Sequence, residues 1–236
     1  MRSLVLLALT FAPAHAAELL IAAASDLGPL SEKLEQPASK AAGLRVRFTL
    51  ASSGSLSQQI ENAAPFDVFL SASENYVSDL VKKGYLDGST ATVYALGRIA
   101  LWSKSGSVRS LEDLGKPEVQ RIAIPNPDHA PYGIAAREAI QKRGLWTAVQ
   151  PKIVFGENVR QALQFAESGN ADAVITSWTL LQGRGALLSQ EWHTPIRQAG
   201  AVLKSSTHPN AARAFLKYLA TPEGRKILTD GGLFPP

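Results

Sequence analysis

The stretch "LRVRFTLASSGSLSQQIENA", residues 44–63, combines a strand, a turn and a helix. The apolar and β-branched run that ends at Leu50 predicts a strand. Leu56, Ile60 and Ala63 then recur at helical spacing, which predicts that a helix follows the turn. Four serines, at positions 52, 53, 55 and 57, occupy this junction without a Lys or Arg beside them. Ser57 lies one helical turn beyond Ser53, where its side chain is expected to face solvent. A strand that leads directly into a helix is the repeating unit of an α/β fold.

The same alternation of short apolar runs and amphipathic helices continues along most of the chain. Further strand-like runs are "ELLIAAAS" (18–25), "FDVFLSAS" (66–73), "RIAIP" (121–125), "KIVFG" (152–156) and "DAVIT" (172–176). The pattern predicts mostly parallel sheets with helices on both faces. About nine such strands are more than one compact sheet needs, so we expect an α/β protein with two lobes.

The first sixteen residues, "MRSLVLLALTFAPAHA", resemble a secretory signal peptide and not part of the fold. They contain one basic residue, an apolar run too short to span a bilayer, and the small-residue sequence Ala14-His15-Ala16. We therefore expect cleavage after Ala16 and a mature protein that is soluble in the periplasm.

The composition excludes several classes of function. The chain of 236 residues has no Cys, which excludes disulfides, thiolate metal sites and cysteine nucleophiles. Its net charge is only +4 and its basic residues are scattered. Nucleic-acid-binding proteins usually concentrate basic residues on one face, so no nucleic-acid partner is expected.

Four strand-to-helix junctions share an unusual chemistry. Ligands of open α/β sheets bind beyond the carboxyl ends of strands, where helices begin. The junctions are "AAASDLGPL" with Ser25 and Asp26, "ASSGSL" with Ser53 and Gly54, "IPNPDHAPYGIAA" with Tyr132, and "FGENVRQAL" with Asn158 and Val159. For each junction taken alone, an ordinary helix cap is the more common explanation. Together they offer free N–H groups and hydroxyls without a cation in the turn, which indicates an anion site.

Most of the mature chain resembles one known family. The similarity runs from about residue 20 to the C-terminus and is carried by "AAASDL", "ASSGSLSQQIENAAPFDVFLSAS", "DLVKKGYLD", "NPDHAPYGIAAREAI", "ENVRQALQFAESGNADA" and "AARAFLKYLATPEGRKIL". In this combination the chain resembles the periplasmic molybdate-binding proteins of ABC transporters.

The resemblance implies a type II periplasmic binding protein with its ligand in a cleft between two lobes. The first lobe would comprise residues 17–95 plus 199–236, and the second residues 96–198. Ser25 and Ser53 would bind the molybdate oxyanion through hydroxyl and backbone N–H groups, and Tyr132 and Val159 through backbone N–H groups. The resemblance further implies capture of molybdate or tungstate for a membrane permease, a monomer, no cofactor and no enzymatic activity.

The sequence departs from the family pattern at two positions. Many members carry a tyrosine whose hydroxyl reaches the anion, but Thr176 stands at that position, which leaves Tyr132, Thr176 or Ser177 as substitutes. Asp26 stands where many members have Leu. A carboxylate would repel a dianion in a low-dielectric cleft, so Asp26 either caps a helix with its side chain turned away or accepts a proton from the ligand. We favour the cap.

Two alternatives remain at this point. Another tetrahedral oxyanion, such as sulfate or phosphate, would suit the same junctions. A hydrolase is less favoured, because no G-x-S-x-G motif is present. Outside the signal peptide, His129, His193 and His208 lie beside or near prolines and are expected to be solvated.

Overall fold

The computed structural model of the protein describes residues 17–236, so the predicted signal peptide at residues 1–16 lies outside the described residues. Within that part of the chain, the strands are β1 (Glu18–Ala24), β2 (Arg45–Ala51), β3 (Val68–Ser71), β4 (Thr92–Gly97), β5 (Ile99–Trp102), β6 (Ile122–Pro125), β7 (Ile153–Gly156), β8 (Ala173–Ser177), β9 (Ala186–Leu187) and β10 (Ile196–Val202). The α-helices are α1 (Gly28–Ala42), α2 (Ser53–Glu61), α3 (Glu74–Lys82), α4 (Pro131–Lys142), α5 (Trp146–Val149), α6 (Val159–Glu167), α7 (Trp178–Leu181), α8 (Pro209–Leu219) and α9 (Pro222–Asp230). A short 3-10 turn, Ser25–Leu27, connects β1 to α1.

These strands form two five-stranded sheets with the orders β2-β1-β3-β10-β4 and β7-β6-β8-β5-β9. In the first sheet β1 is parallel to β2 and β3, whereas β10 is antiparallel to β3 and β4. In the second sheet β6 is parallel to β7 and β8, whereas β5 is antiparallel to β8 and β9. Each sheet is therefore mixed, although the alternation of strands and helices had indicated mostly parallel pairing. The antiparallel strands β5 and β10 are those through which the chain enters each sheet from the other one.

Each sheet and its helices form one lobe. We call the part built on the β2-β1-β3-β10-β4 sheet the first lobe, and the part built on the other sheet the second lobe. The chain crosses between Gly97 and Ile99 and returns before Ile196. The expected limits, 17–95 plus 199–236 and 96–198, fall inside β4 and β10, and they stay a prediction.

The hydrophobic core explains why the elements take these positions. In β1, Leu19 and Ile21 face a cluster shared with α1 and α8, whereas Ala22 faces a second cluster shared with α2 and α3. Side chains alternate across a strand, so the first sheet buries both faces. A third cluster surrounds the second sheet and includes Ile122 and Leu163. Among the described residues, no helix is both long and apolar enough to cross a membrane.

Candidate functional site

The four junctions selected from the sequence meet at one cavity between the lobes. The cavity is nearly filled by its own lining, because only about 10 Å³ is open to the centre of a water-sized sphere. Its lining comprises Ala24, Ser25, Asp26, Ala51, Ser52, Ser53 and Ala72 from the first lobe, and Ala130, Pro131, Tyr132, Asn158 and Val159 from the second. Ser25, Ser53, Tyr132 and Val159, the expected ligand residues, and Asp26, the fifth residue expected at the site, all belong to this lining, which contains no Lys or Arg. Their contacts with an anion stay a prediction.

Three helices begin at the cavity wall. These are α2 at Ser53, α4 at Pro131 and α6 at Val159. The first N–H groups of a helix have no acceptor within the helix, so the amides of Ser53, Tyr132 and Val159 remain available to a ligand. The N-terminus of a helix also carries a partial positive charge. The arrangement can therefore hold an anion without a cationic side chain.

The Ser53 side chain is oriented to donate a hydrogen bond. Ser53 is buried, and its Oγ accepts the backbone N–H of Ala72 at 3.0 Å. The capping role at this junction belongs to Ser52, whose Oγ accepts the N–H of Ser55 at 3.3 Å. The hydroxyl proton of Ser53 thus stays available for an acceptor in the cavity.

Asp26 is not a helix cap, so the favoured interpretation of its side chain is wrong. Neither the 3-10 turn that contains it nor α1 has a side-chain cap. Instead, Asp26 Oδ2 accepts hydrogen bonds from Tyr132 Oη at 2.8 Å and from Gln198 Nε2 at 2.5 Å. The carboxyl group is buried, and its Oδ1 has no hydrogen-bond partner among the described residues. The physical reason is tertiary, because one of these donors comes from the second lobe.

The electrostatics of Asp26 follow from this position. Burial raises the pKa of Asp26 from its ordinary 3.8 to about 6, although the hydrogen bonds from Gln198 and Tyr132 lower it. Burial also raises the pKa of the Tyr132 hydroxyl well above 10, with a further contribution from the Asp26 charge. Tyr132 therefore remains a neutral donor at physiological pH, whereas Asp26 changes its charge near pH 6.

Gln198 and Tyr94 belong to this network and were not identified from the sequence. Gln198 Nε2 also donates to Tyr132 Oη at 2.9 Å, and Tyr94 Oη donates to Gln198 Oε1 at 2.6 Å. Gln198 lies fully buried on β10, and Tyr94 is buried on β4. The only signal available was a polar side chain within the apolar run "QAGAVL". The network joins β4 and β10, which lie next to the two crossings between the lobes, to Asp26 and Tyr132.

The hydroxyls considered as replacements for the family tyrosine have protein partners. Thr176 Oγ1 donates to the Val159 carbonyl at 2.9 Å. Ser177 Oγ accepts the N–H of Thr179 and shares a 2.7 Å hydrogen bond with the Thr179 hydroxyl. The Tyr132 hydroxyl donates to Asp26. Thr176 instead supports the residue that begins α6.

The expectation that the histidines are solvated is wrong for two of the three. His193 is buried, and burial lowers its pKa. The His129 side chain is only 20% exposed and shares a 2.9 Å hydrogen bond between its Nδ1 and Ser52 Oγ, across the two lobes. His208 retains 31% exposure of its side chain. A proline nearby in the sequence predicts a loop, but it does not reveal whether the rest of the fold covers the histidine.

A wider groove, with a volume of about 650 Å³ open to the centres of water-sized spheres, adjoins the cavity. Ser25 and Asn158 line both spaces. The charged residues of the groove are Lys33 and Glu32 of the first lobe and Arg160 of the second, so its lining carries one net positive charge. Positive charge is thus placed outside the small cavity, where it can attract anions over several ångströms.

A cavity between two α/β lobes, lined by helix N-termini, defines a two-lobe solute-binding protein. Residues 19–234 match the family profile described as "Bacterial extracellular solute-binding protein". The chain therefore belongs to the family of bacterial extracellular solute-binding proteins. This is a family of transport proteins and not of enzymes, so the hydrolase alternative is set aside.

Several characterised proteins are similar to the chain along most of its length. Over 227 residues it is 32% identical to the molybdate-binding protein ModA of Rhodobacter capsulatus, which covers 93% of this chain and 89% of the relative. The periplasmic molybdate-binding protein of Azotobacter vinelandii has a similar structure, with a TM-score of 0.86 at 30% identity, covering 92% of this chain and 99% of that one. The sulfate-binding protein SubI of Mycobacterium tuberculosis, with a TM-score of 0.78 over 94% of this chain and 87% of that one, is only 17% identical and shows the fold alone.

Proposed function

We propose that this protein captures molybdate, and with it tungstate, in the periplasm for uptake by an ABC transporter. One observation carries the proposal: four strand-to-helix junctions from two lobes line one small cavity without a Lys or Arg. Ser25, Ser53, Tyr132 and Val159 would bind the molybdate oxyanion, and Asp26 would lie against it.

The chemistry of this lining suits a fully ionised tetrahedral anion. Backbone N–H groups and hydroxyls form strong hydrogen bonds to a charged acceptor. In a buried cavity these dipoles act in a low dielectric, so they do not need a neutralising cation. Donors from two lobes can surround a tetrahedral anion, whereas donors from one lobe would leave half of it in water.

Similarity to proteins named as molybdate-binding supports the choice of ligand. The implied partner is a membrane permease of the ABC class, since family members deliver solutes to transporters. The donor set requires no cofactor, and we expect a monomer. The signal peptide predicted at residues 1–16 agrees with a periplasmic location.

Phosphate is the second candidate because of one specific feature. Asp26 Oδ1 is buried without a partner beside the cavity, and an ionised carboxylate there would accept the proton of hydrogen phosphate. A fully ionised anion has no such proton to donate. The state of Asp26 therefore separates the two ligands.

A thermal-shift panel of molybdate, tungstate, sulfate and phosphate tests the ligand. At 100 times its Kd, a ligand stabilises the folded protein by about 2.7 kcal/mol. For a chain of this size the melting temperature should rise by roughly 5–10 °C. We expect this shift with molybdate and tungstate and little change with sulfate at the same concentration. A larger shift with phosphate would favour the second candidate.

The substitution Ser53→Ala tests the site. A hydrogen bond to a charged group contributes roughly 1.5–3 kcal/mol, so molybdate should bind about 10- to 150-fold more weakly by isothermal titration. The matched control is Ser78→Ala, because Ser78 is exposed on α3 of the same lobe. Ser57, which the sequence placed toward solvent, is buried and is not a valid control. Unchanged affinity in Ser53→Ala would show that the serine-rich turn does not bind the anion.

A further inference from the structure

The two lobes touch directly at one edge of the cavity. Gly54 N donates to the His129 carbonyl at 2.9 Å, and Ser52 Oγ shares its 2.9 Å hydrogen bond with His129 Nδ1. Beside them, Ser55 Oγ donates to Glu157 Oε1 at 3.3 Å. His129 Nε2 lies 3.6 Å from the same Glu157 oxygen. We call these five residues the interlobe contact.

Gly54 allows this approach because it has no side chain. A Cβ at position 54 would lie 2.6 Å from His129 Cβ and 2.9 Å from His129 Cα. Both distances are well below ordinary carbon–carbon contact of about 3.5–4.0 Å. The Tyr76 hydroxyl would lie 2.8 Å away, but it is the far end of a side chain in the same lobe. The backbone of His129 cannot move aside in the same way unless the second lobe moves with it.

The interlobe contact is continuous with the cavity wall. Ser52 and Ser53 line the cavity on one side of Gly54, and Ala130 lines it directly after His129. Gly54 and His129 themselves are not part of the lining. Their contact therefore exists only when the lobes are closed around the cavity, and its free energy adds to the closed state alone.

We infer that Gly54 and His129 are positioning residues for anion binding: their contact holds the lobes closed and slows release of the bound anion. The inference rests on the proposed function of the cavity as an oxyanion site. It assigns to Gly54 a role at the opposite lobe, outside the lining of the cavity. Affinity would then depend on two residues that do not touch the anion.

The first test compares Gly54→Ala with Gly115→Ala. Overpacking of the contact should weaken molybdate binding by about 5- to 150-fold. The added Cβ of Gly115→Ala would meet nothing within 4 Å, so that variant should bind like the wild type. Release of ⁹⁹Mo-labelled molybdate, chased with unlabelled molybdate, should be faster in Gly54→Ala. Without ligand the stability should fall by less than the binding free energy does, because in separated lobes the new methyl group displaces only the Tyr76 hydroxyl.

A second pair of variants separates loss of the contact from overpacking. His129→Ala removes the hydrogen bond to Ser52 and should accelerate release several-fold. His129→Asn places an amide near the position of Nδ1 and should restore part of the wild-type rate. Wild-type release rates in both Gly54→Ala and His129→Ala would overturn the inference. A loss of ligand-free folding stability as large as the loss of binding free energy would also overturn it, because the role of the contact would then be structural.

A third measurement does not depend on the identity of the ligand. The chain has no Cys, so Ser55→Cys with Glu157→Cys introduces the only two thiols. Their oxidation to a disulfide reports how often the lobes close, and Gly54→Ala in this background should slow it. If no anion of the panel stabilises the wild type, the proposed function is wrong. The rate of disulfide formation then still tests whether the interlobe contact holds the lobes closed. Equal oxidation rates with and without Gly54→Ala would refute the inference.

Discussion

The substitution Asp26→Asn tests the electrostatics of the cavity. Asparagine can keep an acceptor oxygen toward Tyr132 and Gln198, which now donate to Asp26 Oδ2. Its amide would then replace the unpartnered Oδ1 beside the cavity. The change thus removes the charge and places a donor where the wild type has an unpaired oxygen.

The magnitude follows from the raised pKa of Asp26. Folding raises this pKa from 3.8 to about 6, so between these values the folded protein binds more protons than the unfolded chain. The resulting cost to stability is absent below pH 4, grows as the pH rises, and is complete above about pH 6. It amounts to about 3 kcal/mol, or roughly 6–12 °C in melting temperature for a chain of this size. The stability of Asp26→Asn relative to the wild type should therefore increase by this amount as the pH rises from 4 to 7.

The affinity for molybdate should also depend on pH in the wild type but not in Asp26→Asn. A dianion in the cavity disfavours the ionised carboxylate, so wild-type Asp26 must take up a proton when molybdate binds above pH 6. The wild-type Kd should then rise up to tenfold per pH unit between pH 6 and 8, whereas the Kd of Asp26→Asn should stay constant. Isothermal titration across this range measures both proteins, which share the same histidines. A wild-type Kd that is constant from pH 6 to 8, or an equal slope in both proteins, would refute this reasoning.

Three further outcomes are expected. Tyr132→Phe removes a hydrogen-bond donor that lowers the pKa of Asp26, so the affinity for molybdate should begin to fall at a higher pH than in the wild type. If the affinity begins to fall at the same pH in both proteins, this expectation is wrong. Thr176→Val removes the hydroxyl that donates to the Val159 carbonyl, which should lower stability by about 0.5–1.5 kcal/mol in urea unfolding. Its molybdate Kd should change by less than about threefold, and a large loss of affinity at unchanged stability would show that the hydroxyl binds the anion. Protein from a periplasmic extract should begin at Ala17 by mass spectrometry, and an intact initiator methionine would exclude cleavage.

The sequence alone determined the alternation of strands and helices and the places where the cavity-lining helices begin. These features depend on neighbours in the chain: periodic burial selects the elements, and Ser52 and Asn158 cap helices through amides two or three residues ahead. The composition of the four junctions also indicated an anion site, because free helix amides and the lack of cations are local properties. Hence the two-lobe fold and the junctions that line the cavity were predictable.

Only the tertiary structure decided what those residues face. Asp26 was expected to cap a helix, but its partners are Tyr132, more than a hundred positions away, and Gln198 on a returning strand. Gly54 meets His129 of the second lobe, and Ser57 is buried where a solvent-facing side chain was expected. Burial and hydrogen bonding across a cleft depend on which surface the opposite lobe presents, and no periodicity in the chain encodes that surface. The charge of Asp26 and the fit between the lobes therefore emerge only when both lobes are in place.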